Sequence, residues 1–194
     1  GMDGFIQQIN ALRTNVKREE RIAALTHEID NLYHQGVSAM ADISNCNESF
    51  AAKAASKLYT RTFLEVFGTE PKDVPAIMED VLSLQREAMG YGLDAAPTPH
   101  SCYTMSQELN RRVAAEGLKN GYISYHSEES REENDMVRYG TGALADDYNS
   151  RGTTTRPVFG VSSLIYFIEN LKKAITLPID ANVLLVHNVD TSSE

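Results

Sequence analysis

Residues 95–99, Ala95-Ala96-Pro97-Thr98-Pro99, place two prolines within three positions, and how this stretch is read decides the fold. Proline lacks a backbone N–H and disfavours helical dihedrals in the residue before it, so no helix runs through the segment. Read as an extended connector, it is the best internal boundary of the chain. It separates residues 1–95 from residues 96–194, either as two units or as parts of one continuous domain.

Upstream of this boundary the apolar residues keep helical spacing. Phe5, Ile9, Leu12 and Val16 recur at intervals of three and four, as do Ile22, Leu25, Ile29 and Leu32. The two stripes are out of phase, which places a turn near Lys17 to Glu20 or demands a helix buried on two sides. A third helix is expected through Phe50, Ala54, Leu58 and Val66, ending at Gly68. A fourth is capped by Asp73, carries Pro75 in its first turn and ends at Gly90 or Gly92. Short connections between such helices favour an antiparallel bundle.

Downstream the period changes. Thr104 and Gln107 form a T-x-x-Q capping box before Met105, Leu109 and Val113, and Ser130 with Glu133 forms another before Met136, Val137 and Tyr139. Thr155 and Pro157 open the most apolar helix, with Val161, Leu164, Ile165, Ile168 and Leu171 on one side and Pro178 as its stop. Tyr122–His126 (YISYH) and Val183–Val186 (VLLV) read as short strands, too few for an independent sheet. The expected fold is therefore mainly α: an N-terminal antiparallel helical bundle over 1–95, then a smaller helical subdomain over 96–194 with at most a short two-stranded β element. VLLV lies so near Glu194 that a chain continuing beyond it is also expected.

Bulk properties exclude several functions. A net charge of -9 at pH 7 disfavours nonspecific nucleic-acid or anionic-membrane binding, which needs a cationic surface. No stretch approaches the apolar length of a membrane span, and the N-terminus lacks the unbroken apolar core of a signal peptide, so a cytoplasmic location is expected. Cys46 and Cys102 are far apart and outside any zinc-knuckle spacing. No cofactor is assigned. With 42% hydrophobic residues, the chain can bury a core without staples.

Three constellations could carry chemistry. In Arg138–Arg156 (RYGTGALADDYNSRGTTTR), Arg138, Arg151, Thr153, Thr154 and Arg156 offer guanidinium and hydroxyl donors near an expected helix N-terminus, a setting that suits a phosphate or carboxylate. The GxxxxGK[ST] spacing of a phosphate-binding loop is absent. Cys102 precedes a helix start, which would favour its thiolate, and His187 or His126 could act as its base, with Asp190 orienting. His100 and Cys102 form an HxC pair, and His126 precedes Glu129, Glu132, Glu133 and Asp135. A solvated helix start accounts for these acids, so no metal site is assigned. His126 and His187 each end a strand-like run, but their flanks, HSEE and HNVD, do not repeat a motif.

Regular amphipathic helices without a convergent catalytic set point to a helical protein–protein interaction or regulatory module without its own catalysis. Its nine tyrosines suit a binding face, its partner is an unidentified protein or a small anionic ligand, and a homodimer is compatible. The alternative is a hydrolase or transferase acting on a phosphate-bearing or acyl substrate, its anion held by the Arg138–Arg156 loop.

Overall fold

The AAPTP stretch is not a connector. It lies within a buried strand, β3 (Asp94–Pro99), near the middle of an α/β fold in which every paired strand is parallel. The computed structural model describes residues 16–150, 157–175 and 182–191, with isolated positions 4, 8, 9, 11 and 12. Among them, β1 (Ala39–Ser44) and β2 (Tyr59–Val66) precede β3, while β4 (Tyr122–Ser127) and β5 (Asn182–His187) follow it. The helices are α1 (Arg18–His34), α2 (Phe50–Ala55), α3 (Val74–Gly90), α4 (Gln107–Leu118), α5 (Arg131–Tyr139), α6 (Ala143–Ser150) and α7 (Ser163–Ala174).

One sheet has the order β1-β2-β3 and a second pairs β4 with β5. The two meet along β3 and β4, so the strands follow one another in space as they do in sequence. A strand order without reversal is the winding of a (β/α) barrel wall rather than of a doubly wound sheet. In β2, Leu64 and Val66 pack with Val74, Met78 and Val81 of α3 and Leu109 of α4. Side chains alternate along a strand, which turns Arg61, Phe63 and Glu65 to the opposite face. Arg61 pairs there with Asp94 and donates to the Tyr122 carbonyl at 3.2 Å, tying together the starts of β2, β3 and β4.

The prolines explain why the strands form two sheets. His100 N–H donates to the Val66 carbonyl on β2 at 3.1 Å, and main-chain donors alternate in direction along a strand. The nitrogens of Pro97 and Pro99 therefore fall on the β4 side, where neither can donate. Thr98 fills the gap with its side chain: Ser124 N–H donates to Thr98 Oγ1 at 2.7 Å, and Thr98 Oγ1 donates to the Ser124 carbonyl at 2.8 Å. Main-chain pairing resumes only at the strand end, where His126 N–H donates to the His100 carbonyl at 2.8 Å.

The mainly helical bundle is thus overturned, and the reason is local. The helix expected through Phe50 and Val66 ends at Ala55, and residues 59–66 form β2, whose Tyr59, Thr60, Thr62, Phe63 and Val66 are strand-favouring types. Strands covered on both faces lose the period-two signature that would reveal them. YISYH and VLLV are strands, paired to each other as parallel neighbours. The Arg138–Arg156 segment contains α6, and the following helix starts at Ser163, capped by the Ser162 hydroxyl, rather than near Pro157. Phe5, Arg151, Thr153, Thr154, Thr155, Arg156 and Pro178 lie outside the described residues.

Two substitutions test this packing. Thr98→Val strips the Ser124 N–H and C=O of their buried partner and is expected to lower unfolding free energy by about 2–3 kcal/mol. An unchanged urea midpoint would show that the seam is held in another way. Gly117 of α4 faces β3 so closely that an added Cβ would lie 2.1 Å from the Pro97 carbonyl oxygen. Gly117→Ala is expected to cost about 1–3 kcal/mol, read as a lower Tm.

Candidate functional site

In parallel α/β folds, ligands and reactive groups gather at the carboxyl ends of the strands. Here those ends carry Glu65 on β2, His100 just past β3, His126 on β4 and His187 on β5, with Glu129 in the turn after β4. The rings of His100 and His126 stack with centroids 4.7 Å apart and planes 22° from parallel, and the His187 centroid lies 5.0 Å from that of His126. His126 Nδ1 is 3.0 Å from His187 Nε2. On the other side of the ring, His126 Nε2 is 3.4 Å from Glu65 Oε1. His187 Nε2 is also 3.4 Å from Glu129 Oε1, and Tyr103 OH donates to Glu129 Oε2 at 3.4 Å.

Burial decides the charge state of this cluster. It pulls His100 down to about 4, helped by its neighbours His126 and His187, and it lowers His126, helped by His187. Both imidazoles are therefore neutral near pH 7 and keep a lone pair for a proton or a cation. The Nδ1 of His100 is tied to the hydroxyls of Thr104 at 2.8 Å and Ser101 at 3.0 Å.

Glu129 is positioned by a buried clamp. The Ser130 hydroxyl caps α5 by accepting from Glu133 N–H, as the S-x-x-E spacing predicts. The Glu133 carboxylate reaches back to accept from Glu128 N–H at 3.1 Å and Glu129 N–H at 2.7 Å. Glu128 sits at φ +53 and is buried, and its carbonyl accepts from Val189 and Asp190 beyond β5. A left-handed backbone at a residue other than glycine is held only by such surroundings. The clamp therefore aims Glu129 between His187 and Tyr103.

The other sequence candidates fare differently. Cys102 is wholly buried, and burial together with the charge of Glu133 pushes its thiol well up. It packs in the hydrophobic core with Tyr103, Tyr125 and Phe167, a setting that disfavours a thiolate. Asp190 does not orient His187 but accepts from Asn134 Nδ2 at 3.0 Å. His126 and His187 do come together, facing Glu65 and Glu129 instead of a thiol. Arg138 lies on α5 at a surface cleft shared with Arg131, Asn134 and Asp190, while the other four residues of the expected anion site are undescribed. No sequence pattern marks Glu65, His100 has only Cys102 as a nearby donor in sequence, and Glu129 has the look of an ordinary helix-start acid. Recognising TFLEV and APTP as parallel strands would have pointed to the residues at their ends.

Fold and site together define an α/β protein with an imidazole–carboxylate centre at its strand ends. Among solved structures, it is similar to the crystal structure of Helicobacter pylori aminofutalosine deaminase and to that enzyme in complex with methylthio-coformycin. Each matches at 22% identity with a TM-score of 0.68 over 86% of this chain. The chain spans only 41% and 40% of those two chains. No family model and no curated protein matches it. At this identity the likeness speaks for the fold, and it excludes an all-α bundle. A module without chemistry of its own was inferred from the lack of a convergent set. The gathered residues, on the fold of an enzyme, overturn that inference. Among the described residues no helix is long and apolar enough to cross a membrane.

Glu133→Ala removes the acceptor of Glu129 N–H and one of the two acceptors of the buried Glu128 N–H, which keeps the Ser163 hydroxyl at 3.0 Å, and is expected to destabilise by about 1–3 kcal/mol. Glu133→Gln keeps one acceptor oxygen and should lose less. Equal losses in chemical denaturation would argue that the clamp does not hold the turn.

Proposed function

We propose that this chain carries the chemistry of a hydrolytic deaminase, replacing an amino group on an electron-poor ring carbon with oxygen from water. The carrying observation is the convergence of His126, His187 and Glu129 at the ends of β4 and β5. The likeness in fold to a deaminase supports it, as the activity named for that protein needs an acid and a base at one carbon.

In this reading His187 takes a proton from the attacking water, and Glu129 relays a proton to a ring nitrogen. Water oxygen bonds to carbon, the C–N bond breaks, the proton taken from water leaves with the amine as ammonia, and the remaining hydroxyl proton returns to Glu129, which leaves the product as its keto tautomer. The overall balance is R–NH2 plus H2O to R–OH plus NH3, with no oxidant or reductant. Tyr103, donating to Glu129, orients the acid. Burial of Tyr103 pushes its own hydroxyl up, so it stays protonated as a donor.

Ammonia release from a panel of aminopurine and aminopyrimidine bases and nucleosides tests the proposal. Turnover of one of them, reduced by about 10²–10⁴-fold in both His187→Ala and Glu129→Gln, is the expected result. Hydrolysis of phosphate or acyl esters without ammonia release would overturn it, as would turnover indifferent to both substitutions.

A further inference from the structure

We propose that Glu65, His100 and His126 form a binding site for a divalent transition-metal ion. Their donor atoms, one from each of three successive strand ends, all lie within 4.8 Å of one another. Glu65 Oε1 is 3.4 Å from His126 Nε2 and 3.9 Å from His100 Nε2. The Glu65–His126 separation matches the edge of a tetrahedron, about 3.4 Å for an ion with bonds of about 2.1 Å, and the His100 nitrogen has to close in by about 0.5 Å to complete the set.

The hydrogen bonding around the three residues points the same way. His126 Nε2 is buried and makes no hydrogen bond, a costly state whether it carries a proton or a lone pair. Each histidine is held through its other nitrogen: His126 Nδ1 by His187, and His100 Nδ1 by Thr104 and Ser101. Thr104 Oγ1 donates to the Ser101 carbonyl at 3.4 Å, which leaves its lone pairs to accept from His100. Outer partners of this kind fix ring orientation in histidine metal sites and leave the inner nitrogen to the ion.

Two imidazole nitrogens and one carboxylate suit zinc, cobalt, iron or manganese rather than calcium or magnesium. Three protein ligands leave a fourth position for water, as in catalytic rather than structural zinc sites. The site goes beyond the deamination reading and is independent of it, since binding is measured without turnover.

The test is titration of metal-free protein with Co²⁺, followed by visible absorption, with Zn²⁺ competition and thermal melting as second readouts. The expected result is one equivalent per chain, a rise in Tm on metal addition, and affinity weakened by about 100-fold or more in both Glu65→Gln and His100→Asn. Thr104→Val should weaken it by about 10–100-fold through the outer contact, while Glu129→Gln leaves it unchanged. Unaltered melting of the metal-free variants separates lost ligation from lost folding. Absence of saturable binding would overturn the site, as would binding that survives Glu65→Gln and His100→Asn. Loss in Glu129→Gln would do so too, because the ion would then belong to His126, Glu129 and His187, the neighbouring set of donors.

Discussion

The missing main-chain donors of Pro97 and Pro99 are the constraint on which the structure turns. A regular parallel ladder would have joined β3 to β4 along their length. Instead the seam is held midway by the Thr98 hydroxyl and at its top by the His126 N–H on the His100 carbonyl. The last contact brings His100 and His126 side by side with their rings stacked. Gly117, which lets α4 approach the Pro97 carbonyl, closes the outer side of the same seam. One short stretch thus sets strand order, helix approach and the spacing of two histidines.

Burial then turns this geometry into chemistry. An exposed histidine pair would titrate near neutrality and repel itself when charged. Here burial holds His100 and His126 in the neutral form that can accept a proton or a cation. His126 meets Glu65 through one ring nitrogen and His187 through the other, and His187 in turn faces Glu129, so the His126 ring links the two carboxylates. The buried Glu133 carboxylate keeps the turn after β4 in a conformation that few residues other than glycine adopt. Among the described residues, left-handed backbone outside glycine falls at Glu128, His187 and Asn188, at the two strand ends that present the reactive groups.

Several elements were open to reading in the chain itself. α3 runs from Val74 to Gly90 behind its Asp73 start and Pro75, α5 follows the Ser130–Glu133 box, and YISYH and VLLV are strands. Caps and turns are encoded within a few residues, and the amphipathic stripe of a one-sided helix survives in sequence. β1, β2 and β3 were not legible. β3 and the C-terminal part of β2 are buried on both faces, so alternation is lost, and the prolines of β3 are compatible with a strand only because a threonine side chain replaces the ladder.

The acidic charge, the Ser130–Glu133 cap and the place of His126 and His187 at the ends of strand-like runs are written in the chain alone, whereas the cap expected at Thr104 falls on Ser106 and the one expected near Pro157 on Ser162. That these histidines share one centre with Glu65, His100 and Glu129 is a property of the folded chain, because residues 65 and 187 are far apart in sequence. Their convergence depends on parallel strand order, and no local pattern records which strand lies beside which. The same holds for Cys102, whose place before a helix start suggested reactivity until its complete burial made it part of the core. Spacing is a property of the chain, whereas solvent access and the neighbours of a charge belong to the fold.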